Sequence, residues 1–241
     1  MSTPSTAPIM GLSNSTASTS IDHTLICFSH LRWNFVFQRP QHLMSRFARD
    51  TRVIYWEEPE AALPECEPAL GVRVCAETGV TVVTPSLPEG MREEEREATL
   101  RVLLDSFVAG EEAPFIRWYY TPMMLPFSRH LEAASTVYDC MDELANFRFA
   151  PPQLLELERE LLASADVVFT GGYSLYEAKK DRHPNIHPFP SSVDRAHFAQ
   201  ARAMDAAPDD QAYLARPRLG FYGVIDERMD LELLAALADA H

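Results

Sequence analysis

The sequence predicts an α/β fold: a parallel sheet flanked by helices, followed by the opening of a second unit of the same kind. Short runs rich in β-branched and aromatic residues recur along the 241-residue chain, and helical patterns separate most of them. Alternation of this sort builds a parallel sheet covered by helices on both faces. A late apolar run at 219–225 (LGFYGVI) restarts the pattern after a stretch rich in Ala, Asp and Pro at 199–218, and an amphipathic segment at 226–241 follows it. The expected organisation is a tail over 1–21, a first domain over 22–198, a linker over 199–217 and, over 218–241, the first strand and helix of a truncated second domain.

The elements follow in order. The first twenty residues are dominated by Ser, Thr, Ala and Pro and lack both a basic n-region and an apolar h-region, so a disordered tail is expected rather than a signal peptide. Residues 25–29 (LICFS) read as the first strand and 40–49 as the first helix, with Pro40 suited to its first turn. A second strand is expected at 52–56. The segment 71–85 breaks the alternation: two apolar runs around Glu77-Thr78-Gly79 read as an inserted hairpin, the second run lying at 80–84. A helix over 91–109 carries Leu100, Leu103, Leu104, Phe107 and Val108 on one stripe. Further strands are expected at 115–120, 136–140, 166–170 and 186–189. Between them lie a helix at 153–164, entered through Pro151-Pro152, and one at 173–181, which stops before Pro184.

Composition excludes several classes. With 46% hydrophobic residues the chain can bury a core. A formal net charge of −14 argues against sequence-independent nucleic-acid binding, which needs a basic surface, and against broad adhesion to an anionic membrane. Four cysteines (Cys27, Cys66, Cys75, Cys140) show no C-x-x-C spacing, which favours a reducing cytoplasm over a disulfide or zinc framework. No stretch approaches the length of a transmembrane helix.

In an open α/β sheet, ligands bind at the carboxyl ends of the strands, near the reversal of strand order. The loop after the first strand holds His30, Arg32, Trp33, Phe35, Phe37, Gln38 and Arg39. Such a loop can stack a sugar ring and hydrogen-bond its hydroxyls; equally, its aromatic rings can cap the sheet while Arg39 pairs with a nearby acid. Glu57 and Glu58 are adjacent on an extended segment and point to opposite faces, so they are not an acid/base pair. The acidic group Asp139, Asp142 and Glu143 can supply a base, hold Arg32 or Arg39, or give a helix cap through Asp142. Gly171 and Gly172, at a strand-to-helix turn, allow a close backbone approach.

The first strand is not followed by G-x-G-x-x-G, and neither a Walker A lysine, H-E-x-x-H, G-x-S-x-G nor a metal-holding Asp-x-Asp occurs. What remains is metal-free chemistry in a cleft. The stretch 166–198 (DVVFTGGYSLYEAKKDRHPNIHPFPSSVDRAHF) resembles the end of the N-terminal domain of GT-B glycosyltransferases of the large retaining group. Its Ile186-His187-Pro188-Phe189-Pro190-Ser191-Ser192-Val193-Asp194 with Phe198 matches the family's closing segment, with Ser-Ser where Asn-Gly is usual. The opening CFSHLRWNFVFQRPQHL is similar to the start of glycosyltransferases of bacterial exopolysaccharide and teichuronic-acid synthesis.

The resemblance implies a Rossmann-like GT-B N-terminal domain on the acceptor side and a hexosyltransferase activity. A sugar would pass from a nucleotide-sugar donor to a glycan or lipid-linked acceptor in surface polysaccharide synthesis. From their places at the strand ends, Asp142 and His30 are expected to be catalytic, and Arg32, Trp33, Gln38, Arg39, Gly171 and Gly172 to bind the acceptor. Gly223 and Arg228 would meet the donor phosphates; the family's usual Gly-Arg is here Gly223-Val224. No cofactor or metal is expected beyond the nucleotide-sugar co-substrate, and no nucleic-acid partner. The site of action is the cytoplasm, with peripheral contact at the inner face of the membrane. The truncated chain alone is expected to be inactive. A GT-B sugar-nucleotide epimerase and a non-catalytic glycan-binding protein are the alternatives.

Overall fold

A computed structural model describes residues 23–111, 114–204, 206–218, 220–223, 225 and 229–240. The tail expected over 1–21 lies outside the described residues. The chain divides into two compact units that meet between Ser192 and Val193, ahead of the boundary expected after Phe198.

The first unit runs β1 (Thr24–Ser29), α1 (Arg39–Phe47), β2 (Val53–Glu57), β3 (Glu60–Ala62), β4 (Ala69–Val74), β5 (Thr81–Pro88), α2 (Glu93–Val108), β6 (Phe115–Tyr119), α3 (Leu125–Ser128), β7 (Ala133–Cys140), α4 (Leu154–Ser164), β8 (Val167–Thr170), α5 (Tyr173–Lys179) and β9 (Ile186–Pro188). The nine strands form one sheet, parallel except for β4. β2 and β3 pair in turn with the first and second halves of β5, while β4 pairs antiparallel with β5 along its other edge. The path is then β4, β5, β2 with β3, β1, β6, β7, β8, β9.

β1 and β2 are buried along their whole length, which is why they read as continuous apolar runs rather than alternating ones. Their residues nonetheless divide by parity. Ile26, Phe28, Ile54 and Trp56 join the core under α2, α3 and α4, built with Leu104, Phe127 and Leu161. Leu25, Cys27, Val53 and Tyr55 join the core under α1, built with Met44 and Trp118. Truncating a fully buried side chain such as Leu104 to Ala costs about 2–5 kcal/mol. Three glutamates in the first turn of α2 (Glu93, Glu94, Glu95) complement its positive end.

Two features depart from the sequence reading. The 71–85 segment is not an insertion: β5 is a buried inner strand pairing parallel with β2, and only β4 is added. β3 and α3 are additional elements, three and four residues long, too short to show a period. The sheet takes strand order away from β1 in both directions, towards β2 on one side and β6 on the other. That reversal places a crevice at the carboxyl ends of β1 and β6.

The second unit contains α6 (Arg195–Ala199) and α7 (Leu231–Ala240). The side chain of Asp194 accepts the His197 N–H at 3.0 Å and so caps α6. The strand expected over 219–225 is not formed among the described residues of that run, 220–223 and 225. A strand needs a neighbour's backbone groups, and the described residues of this unit supply no strand to pair with. Leu231, Leu233, Leu234 and Leu237 on α7 are exposed. Among the described residues, no helix is long and apolar enough to cross a membrane.

Candidate functional site

His30 follows β1 directly, at the point where strand order reverses. Its Nδ1 is buried and has no hydrogen-bond partner. Burial lowers the imidazole pKa, and the Asp142 carboxylate and the Tyr120 carbonyl oppose that shift without overcoming it. Burial thus favours the neutral ring at neutral pH. Asp142 lies two residues past β7 and is exposed. The two residues expected to be catalytic thus lie in loops after β1 and β7, close enough for the Asp142 charge to act on the His30 ring.

The loop after β1 is held from below. The Tyr55 hydroxyl stands 2.7 Å from Ser29 Oγ and 2.9 Å from the Leu31 carbonyl. Glu57, buried at the end of β2, accepts the Trp33 N–H at 2.6 Å and the Thr84 hydroxyl at 2.6 Å. Arg32 reaches the same carboxylate at 3.4 Å and donates to the Glu58 carbonyl at 2.7 Å. The Gln41 side chain donates to the carbonyls of Arg32 and Trp33 at 3.1 and 3.3 Å, and its Oε1 accepts the Gln38 N–H at 3.0 Å. Gln38 is thus the residue that starts α1.

Trp33, expected to contact an acceptor, is buried edge-on to Tyr55 with ring centroids 4.9 Å apart. A ring committed to the core offers no stacking face. Phe35 and Phe37 are the exposed rings of this loop. Arg39 is also interior. Its Nε lies 3.0 and 2.9 Å from the two carboxylate oxygens of Asp139, and its Nη2 lies 2.8 Å from Oδ1. Its Nη1 donates to the Phe189 carbonyl, and the guanidinium sits 5.3 Å from the centroid of the Phe189 ring. Asp139 is fully buried; burial raises its pKa against the pull of Arg39. Of the two uses open to Arg39, the pairing with an acid is the one present.

Gly171 owes its small size to the protein itself. A Cβ there would stand 2.7 Å from the Met141 carbonyl oxygen and 2.8 Å from Met141 Cα. The approach it permits is that of the β7 loop. Gly172 faces open space and begins α5. Glu143 is tied by Lys179, whose Nζ is 2.9 Å from it and 2.8 Å from the buried Glu158 of α4. The Tyr138 hydroxyl donates to Glu158 at 3.0 Å and Arg182 lies 3.0 Å from its other oxygen. This network went unread in the sequence, since Glu and Lys are ordinarily surface residues; the helical phase of Glu158 among the leucines of α4 was the available signal.

Gly223, in the second unit, has φ +149° and lies 3.2 Å, through a Cβ, from the Phe221 ring. Arg228 lies outside the described residues. Among the described residues, no group of three or more His, Cys, Asp or Glu side chains is placed to hold a metal ion.

No family model and no curated protein matches this sequence. Solved structures do match the fold. A structure of trehalose-6-phosphate from E. coli bound with UDP-2-fluoro glucose superposes with a TM-score of 0.53 at 13% identity, covering 77% of this chain and 52% of that one. A sucrose-phosphate synthase from Thermosynechococcus elongatus gives 0.51 at 12% identity, with 75% and 52% covered. An alpha,alpha-trehalose-phosphate synthase (UDP-forming) from Burkholderia xenovorans in complex with glucose-6-phosphate gives 0.52 at 13%, with 75% and 52% covered. The fold is that of a Rossmann-like GT-B domain. The chain spans about half the length of the solved structures it matches.

Proposed function

We propose that this chain is the acceptor-side part of a glycosyltransferase that moves a sugar from a nucleotide-sugar to a glycan or lipid-linked acceptor in bacterial surface polysaccharide synthesis. The observation that carries it is the place of His30 directly after β1 at the reversal of strand order, with burial favouring its neutral form and the Asp142 carboxylate acting on it electrostatically. The solved neighbours that hold a nucleotide-sugar analogue and a sugar phosphate support a donor and an acceptor of these general kinds. The neutral imidazole takes the proton of the acceptor hydroxyl as its oxygen bonds to the anomeric carbon. The donor's glycosidic C–O bond breaks and its electron pair leaves with the nucleoside diphosphate. Asp142 favours the imidazolium that results. Arg39, Asp139, Lys179 and Glu143 are positioning residues that hold the loops carrying these groups. The reaction runs without a metal in the cytoplasm, at the inner face of the membrane.

The test is a donor panel. The product of the complete gene is incubated with uridine, guanosine and thymidine diphosphate sugars, with and without a glycan extract, and release of nucleoside diphosphate is followed. Acceptor-dependent release from one donor, lowered about 10²–10⁴-fold in His30→Ala, supports the reading. No release from any donor, with glycan binding intact, overturns it in favour of a non-catalytic glycan-binding protein.

A further inference from the structure

A cavity of about 260 Å³ opens between the carboxyl ends of β2 and β6, the two strands that flank β1, and the first turns of α2 roof it. None of the groups described above as catalytic lines it. Its deeper lining is apolar: Leu100, Met124 and Phe127 are buried there. Its rim is polar, formed by Glu58, Glu93, Arg96 and Glu97. The volume falls just below the ~300 Å³ at which sites for drug-sized ligands begin, which suits one small ring. An apolar lining under a ring of hydrogen-bonding groups matches a pyranose, whose C–H face is greasy and whose edge is hydroxyls. Carboxylates accept those hydroxyl protons in charge-assisted hydrogen bonds.

Charge then selects among sugars. Three carboxylates face one guanidinium at the rim, and Arg96 already lies 3.8 Å from Glu93. The nearby Arg32 is engaged by Glu57 at 3.4 Å and Glu60 at 3.9 Å. Arg96 and Arg32 thus each already have carboxylate partners. A phosphate here would meet net negative charge; an amino group would be welcomed. Arg32 also donates to the Glu58 carbonyl, which ties this rim to the loop that carries His30.

We propose that this cavity is a monosaccharide subsite selective for uncharged or amino-bearing rings and closed to sugar phosphates. That the bound ring is the acceptor's rests on the transferase reading; that a ring binds does not.

The experiment uses ¹⁵N-labelled chain and titrations with glucose, glucosamine and glucose 6-phosphate, read as amide shift changes, with no nucleotide-sugar present. Glucose and glucosamine are expected to shift amides at 58–59, 96–100 and 123–127, glucosamine at least as tightly as glucose. Glucose 6-phosphate is expected to bind at least about tenfold more weakly. Met123→Trp, at the partly exposed wall, should abolish the shifts with a normal melting curve. Glu97→Lys should raise glucose 6-phosphate affinity about tenfold relative to glucose. No shifts at these amides, shifts centred elsewhere, or tightest binding by glucose 6-phosphate overturns the proposal. Because turnover is not measured, a failed donor panel leaves these outcomes readable, and the reverse holds too.

Discussion

Replacing Arg39 by Leu should destabilise the first unit by up to about 4 kcal/mol at pH 7, and much less at pH 5. The Arg39 and Asp139 side chains are 5% and 0% exposed, so no water replaces the lost guanidinium. Left alone, the Asp139 carboxylate avoids being buried as an anion by taking up a proton on folding. With an unfolded pKa of about 3.9, protonation at pH 7 costs about 1.36 kcal/mol for each of about three units, so at most about 4 kcal/mol, less what the parent's own raised Asp139 already costs. That agrees with the roughly 3–5 kcal/mol expected when one member of a buried pair is removed. At pH 5 the same sum gives about 1.5 kcal/mol. The sign follows from proton uptake: a carboxyl whose folded pKa is raised binds more protons in the native state, so the loss grows as pH rises. Urea unfolding followed by tryptophan fluorescence is the assay. The chain's three tryptophans, Trp33, Trp56 and Trp118, are all buried in the first unit, so the signal reports that unit alone. A loss within about 1 kcal/mol at pH 7, or one that does not change between pH 5 and 7, would refute the reasoning. The double variant Arg39→Leu with Asp139→Leu should recover most of the stability.

Gly171→Ala should lower stability by about 1–3 kcal/mol through collision with the Met141 backbone, whereas Gly172→Ala should stay within about 0.5 kcal/mol; thermal melts of the two side by side decide it. Asp142→Asn should lower the His30 pKa below its already depressed position, seen by following the imidazole Cε1–H resonance with pH; no downward shift would remove Asp142 as its electrostatic partner. Lys179→Met should cost about 1–3 kcal/mol, because Glu158 keeps only the half-exposed Arg182, 3.0 Å away, as a cation. In the parent, burial pushes the Glu158 carboxyl up, but Lys179, the Tyr138 hydroxyl and Arg182 together bring it below its ordinary value. Its contribution is therefore complete above about pH 4.5 and lost as pH falls through the lower folded value, and acid unfolding of the parent should be steeper there than that of Lys179→Met.

Much of the sheet was legible because double-sided burial leaves a plain mark. Runs such as 25–29 and 53–56 have no polar side to offer, and the helices between them carry one apolar stripe each. β3 left no mark, since its Glu-Ala-Ala is exposed and borrows its shape from β5. The second strand of the hairpin was visible as a strand, but its parallel partner, β2, lies across a stretch that no local pattern encodes. The strand-end rule selects the loops of His30 and Asp142, which follow β1 and β7, because topology alone decides where crevices fall. Side-chain commitments were harder. Whether Trp33 stacks on a ligand or packs on Tyr55, and whether Arg39 waits for an acceptor or holds Asp139, turns on contacts with residues 22 and 100 positions away. Charges buried in pairs, as at Glu158 and Lys179, look like any surface helix until both helices are placed.

The Arg39–Asp139 clamp joins two positions separated by 100 residues, one at the start of a helix and one inside a strand. Inheritance then constrains them as a unit. Losing either charge alone strands the other, while exchanging both for well-packed apolar side chains can be neutral or better. Lineages descending from this chain should therefore carry the arginine and the aspartate together or lack both, with single losses rare and short-lived. A correlated change at these two columns would reveal the pairing from sequences alone.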